Sequence, residues 1–93
     1  MKKKEEFYDK LKIKLEETTT FPTKYMFKFI IPTVNDKLTT IENMFNHLGA
    51  VITTKKSKSA KYTSITILVV MNSVDEIINK YLEVDTVEGV ISL

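Results

Sequence analysis

Lys55, Lys56, Lys58 and Lys61 crowd one short polar segment, and an ammonium group there holds a carboxylate or a phosphate as a point charge. The chain has no arginine, so the planar fork that grips such anions in a bidentate way is missing. Two readings of this set stand side by side. One is a solvated turn whose charge protects a strand edge; the other is a contact patch for an acidic partner or a phosphate. The only histidine, His47, sits beside Leu48 near the end of a helical pattern, where the helix dipole favours it without any catalytic role. Glu5-Glu6, Glu16-Glu17 and Asp75-Glu76 read as helix-surface or first-turn charges rather than as paired carboxylates for acid-base work.

Other chemistries are excluded by what the chain lacks. It has no cysteine, which removes disulfides, thiolate nucleophiles and thiolate metal sites. Two glycines, Gly49 and Gly89, lie too far apart for a phosphate-cradling loop or a dinucleotide fingerprint. No second histidine and no tight acidic cluster joins His47 at metal-ligand spacing. The expectation is a protein that is not an enzyme, with no catalytic residues, no metal and no cofactor.

With 93 residues and 43% apolar composition, the chain supports one compact core. A formal charge of +2 gives no bulk argument for nucleic acid. The start, MKKKEEFYDK, is basic like a leader but runs into alternating Lys, Glu and apolar residues. No apolar run approaches the roughly 20 residues that span a bilayer. These features and the missing cysteines lead us to expect a cytoplasmic protein away from membranes.

The elements that position these residues follow from periodicity. Phe7, Leu11 and Leu15, with Tyr8 beside them, predict an amphipathic helix over 3–17, ended by the Thr18-Thr19-Thr20 run and Pro22. Residues 1–20 thus form a helix and linker ahead of a domain at 21–93. Tyr25, Phe27, Phe29 and Ile31 alternate through a strand at 24–31. Leu38, Ile41, Phe45 and Leu48 predict a helix over 35–48, capped by Asn35 or Asp36 and stopped by Gly49. Residues 50–54 and 62–71 read as a hairpin around the lysine turn at 55–61. Ser73 and Glu76 form a capping box for a helix whose apolar face is Val74, Ile77, Ile78, Tyr81 and Leu82. Residues 87–93 return as the last strand, with Gly89 marking a bulge or a close backbone approach.

Strand, helix, strand, strand, helix, strand is the order of a ferredoxin-like βαββαβ sandwich. The fold class expected is α+β, with a four-stranded antiparallel sheet, two helices on one face and an additional N-terminal helix. RNA-recognition modules share the order, but they stack bases on exposed sheet aromatics. Here Tyr25, Phe27 and Phe29 belong to the helix-covered face, which leaves Tyr62 as the exposed aromatic of the long strand and disfavours RNA. The other sheet face carries Met26, Ile30, Leu68 and Val70 among Lys28, Ser64 and Thr66. Such a patch either marks an interface or lies under the N-terminal helix. Both remain open from sequence.

At 21–28, FPTKYMFK, and again at 61–67, KYTSITI, the chain resembles the YbeD-like family of small bacterial proteins of unknown function. The likeness runs over about 21–93. It implies a ferredoxin-like fold similar to the ACT regulatory domain, and no catalytic residues. It departs from that family at Ala60, where a turn glycine is expected, and in the helix at 3–17. The leading expectation is a regulatory or adaptor module that binds a partner protein or small ligand. Lys28, Tyr62 and Ser64 would supply its polar contacts and Met26, Ile30, Leu68 and Val70 its apolar surroundings. Homodimerisation is compatible with such sandwiches. The alternative is nucleic-acid binding through Lys55, Lys56, Lys58 and Lys61.

Overall fold

The structure is a computed structural model that describes residues 2–34 and 36–93. Helix α1 spans Lys2–Thr18, strand β1 Thr23–Pro32, and helix α2 Lys37–Phe45, which a 3-10 turn at Asn46–Leu48 extends. Strands β2 (Val51–Lys56) and β3 (Tyr62–Met71) form the hairpin, followed by helix α3 (Val74–Val84) and strand β4 (Ile91–Ser92). The sheet order is β2-β3-β1-β4 with antiparallel neighbours throughout. The expected α+β sandwich with a ferredoxin-like strand order is therefore present.

Alternation decides which side of the sheet is covered. Phe27, Phe29 and Ile31 on β1 and Ile65, Ile67 and Met71 on β3 are buried, and they meet Ile41 and Phe45 of α2 and Ile77, Tyr81 and Val84 of α3. Phe27 lies at the centre of the aromatic packing, 5.2 Å from the Phe45 ring and 5.1 Å from the Tyr81 ring. Such edge and tilted contacts add to the area that each ring buries.

The helix ends follow local chemistry. Ser73 Oγ accepts from the Glu76 amide at 3.1 Å, and Glu76 Oε1 reaches back to the Asn72 amide at 3.3 Å, one residue earlier than a reciprocal capping box requires. Asp36 precedes α2 but caps it with no side-chain bond, and the Asn35 alternative lies outside the described residues. Gly49 closes the 3-10 turn with φ +71°, as its position after Leu48 predicts. Lys80 Nζ donates to the Met44 carbonyl at 2.6 Å and so satisfies an acceptor near the end of α2.

Several sequence expectations need correction. Helix α1 takes in Thr18, whose hydroxyl bonds back to the Lys14 carbonyl at 2.7 Å instead of breaking the helix. Its buried aromatic is Tyr8 at 9% exposure, while Phe7 stands 55% exposed. On α3, Val84 is buried and Leu82 is exposed. Strand β4 keeps only Ile91 and Ser92, because 85–90 form turns in which Gly89 takes φ +82°. A β-carbon on Gly89 would stand 2.9 Å from Pro32 Cγ, so close approach, not a bulge, explains this glycine.

Helix α1 packs against α3, not over the open side of the sheet. Tyr8 stacks beside Tyr81 at 6.1 Å and donates its hydroxyl to Asp85, and Lys12 Nζ lies 3.4 Å from Asp75. Tyr8 and Leu15 join the same apolar cluster as the sheet and the two core helices.

Candidate functional site

With α1 occupied elsewhere, the outer face of the sheet stands open. Register places its side chains in rows across the strands. Val51, Leu68 and Met26 form one row; Thr53, Thr66 and Lys28 form the next; Lys55, Ser64, Ile30 and Ile91 form a third. Val70 opposes Lys24 at one end, and Tyr62 opposes Pro32 at the other. The Leu93 amide donates to the Lys28 carbonyl at 2.9 Å, so the ladder continues past β4. Met26 and Val70 are 56% and 54% exposed, a large apolar exposure on the two inner strands of a sheet.

Of the residues expected from sequence, Ile30, Tyr62, Ser64, Lys55 and Lys56 come together around a depression of about 200 Å³, which Ser57 completes. Tyr62 is 49% exposed. The Ser64 hydroxyl donates to the Lys55 carbonyl at 3.3 Å, which ties the floor of the depression to β2. Ser57 Oγ accepts from the Tyr62 amide at 3.2 Å, and its amide donates to the Tyr62 carbonyl at 2.8 Å. Met26, Leu68, Val70 and Lys28 lie on the same face but outside that depression. Lys58 and Lys61 sit in the hairpin turn, not in strand ladders. Ala60 adopts φ +61° there, the conformation for which glycine is the easy choice.

His47 is exposed in the 3-10 turn and lines none of this depression. Among the described residues no group of three histidine, cysteine or acidic side chains is arranged to hold a metal ion. Among them, too, no helix is long and apolar enough to cross a membrane. Tyr25 bonds the Tyr81 hydroxyl at 2.9 Å on the covered side. Burial first, and then the Tyr25 hydroxyl, holds Tyr81 well above the ordinary tyrosine range; burial and then the Asp85 carboxylate do the same for Tyr8. Both phenols stay protonated at neutral pH and tie packed elements together through their hydroxyls.

The family model described as "Protein of unknown function (DUF493)" matches residues 16–93. The chain belongs to this family. The YbeD-like resemblance and this DUF493 membership agree. No curated protein and no solved structure matches the chain. The DUF493 segment begins in the last turn of α1, so it includes neither Tyr8 nor Leu15. Every outer-face residue described above falls within it.

Sequence reading missed Val51, Ile91 and Leu93, which widen the apolar face, and Lys55 as a neighbour of Ile30 across β3. Their signal was weak. Short edge strands carry too few residues to show which face each belongs to until pairing fixes the register.

Proposed function

We propose that this DUF493 chain is a non-catalytic regulatory or adaptor module that engages a partner protein or a small ligand on the outer face of its sheet. One observation carries the reading: Met26 and Val70 stand more than half exposed on a face that none of the three helices covers. The likeness of YbeD-like sandwiches to ACT regulatory domains supports it. Lys28, Tyr62 and Ser64 give that face polar contacts, and the depression beside Ile30 gives it a concave point of attachment.

The test is affinity capture from native lysate with the wild-type chain beside a Met26→Asp/Val70→Asp variant, with proteins and small molecules both identified. A companion or metabolite that the wild type retains and the variant loses supports the reading. Identical recoveries on both baits, with the variant folded by circular dichroism, remove the outer face from consideration.

A further inference from the structure

The carboxylates of this molecule are confined to one side, whereas its lysines lie on both. All twelve carboxylates lie on the helices, their flanking residues or the turn at 85–90. The four strands and the β2–β3 turn hold none, and they hold Lys24, Lys28, Lys55, Lys56, Lys58 and Lys61. Among the described residues no carboxylate makes an ion pair with any of these six; the pairs present, Lys12–Asp75 and Lys80–Glu83, belong to the helical side. Each lysine of the outer face has an apolar residue near it: Lys24 opposes Val70, Lys28 follows Met26 on the same face, and Lys55 lies across β3 from Ile30 with Ser64 between them.

We infer that the outer face docks an acidic polypeptide segment whose carboxylates alternate with apolar side chains. This rests on the reading of that face as the contact surface and adds the chemistry of the partner. Apolar anchors would settle on the Val51–Leu68–Met26 row and beside Val70, and carboxylates would meet Lys24, Lys28 and Lys55. Complementary charge steers the encounter and fixes the register, while the apolar row supplies the buried area.

Two other occupants fit less well. A second copy paired face to face through a two-fold axis presents the same patch, and so brings Lys24, Lys28 and Lys55 to a surface whose strands hold no carboxylate to meet them. A nucleic acid would gain little from Met26, Leu68 and Val51, and it finds only Tyr62 as a sheet aromatic on which to stack, since Tyr25, Phe27 and Phe29 face the helices.

The experiment pans a random peptide library on the full chain and on its Lys28→Glu/Lys55→Glu variant. The expected pool is rich in Asp and Glu with interspersed Leu, Ile or Phe. Resynthesised peptides should bind the wild type about tenfold or more tighter than the variant, with loss of binding when their carboxylates become amides. Amide shifts in the bound state should fall on Thr23–Pro32, Val51–Lys56 and Tyr62–Met71. An unenriched pool, equal binding to both proteins, or tighter binding of a thymidine oligomer overturns the proposal. So does a wild-type dimer that buries the face. Apolar peptides without carboxylates that fail on the Met26→Asp/Val70→Asp variant would also overturn it, while leaving the outer-face reading intact.

Discussion

The Tyr8 hydroxyl donates to the carboxylate of Asp85, which joins the first turns of the chain to the residue that ends α3. The bond crosses most of the sequence and lies beside the Tyr8–Tyr81 ring contact. It therefore holds α1 against α3 and away from the sheet's open side.

Tyr8→Phe should lower stability by about 1–2 kcal/mol, since it removes one bond to a charged acceptor and leaves the ring in place. The pH dependence has a definite sign. Burial, and then Asp85, raises the Tyr8 phenol above its unfolded value of about 10, so the folded state retains the proton that the unfolded chain gives up. This contribution is complete below that pH and is lost as pH rises toward the folded value. Urea midpoints should fall above about pH 10, less steeply in Tyr8→Phe than in the wild type.

Gly89→Ala should cost about 1–3 kcal/mol, because a positive φ and a contact with the Pro32 ring act together. Gly49→Ala meets open space and should cost only about 1 kcal/mol, from its backbone conformation alone. Equal losses in urea melts would show that the Pro32 contact is irrelevant.

Ala60→Gly relieves a left-handed alanine in the lysine turn, at the expense of a freer unfolded chain. The balance should be a gain of about 0.5 kcal/mol, read as a raised urea midpoint with an unchanged slope.

Neighbours on one strand should respond very differently. Phe27→Ala opens the centre of the core and should cost about 3–5 kcal/mol. Met26→Ser, half in solvent already, should cost less than about 1 kcal/mol. A large loss at Met26 would mean that its face is covered in the folded protein.

The element order and the inward alternation of β1 and β3 could be read from sequence because Phe27, Phe29, Ile65 and Ile67 repeat at the strand period without interruption. Helix phase was less secure. Successive residues turn by about 100°, so Tyr8 lies only about 20° from Leu15 around the axis, whereas Phe7 lies about 80° away. An even four-residue spacing from Phe7 concealed that drift. Strand β4 was overestimated because the apolar residues Val87 and Val90 serve a turn against the core as readily as they serve a strand. For the candidate site, the β1 and β3 contributions were legible, but the edge residues Val51 and Ile91 depended on pairing across the sheet. The gathering of lysines on a side free of carboxylates depended on the same pairing. In the linear sequence Lys24 and Lys28 stand far from Lys55, and only the β2-β3-β1 order unites them.

Twelve carboxylates against eight lysines on the helical side, and six lysines with no carboxylate on the sheet side, make the molecule electrically lopsided despite a net charge of only +2. Such a particle presents different ends to different surroundings. It should adsorb sheet-first on a cation exchanger and helix-first on an anion exchanger, and near any charged cellular surface it would arrive already oriented.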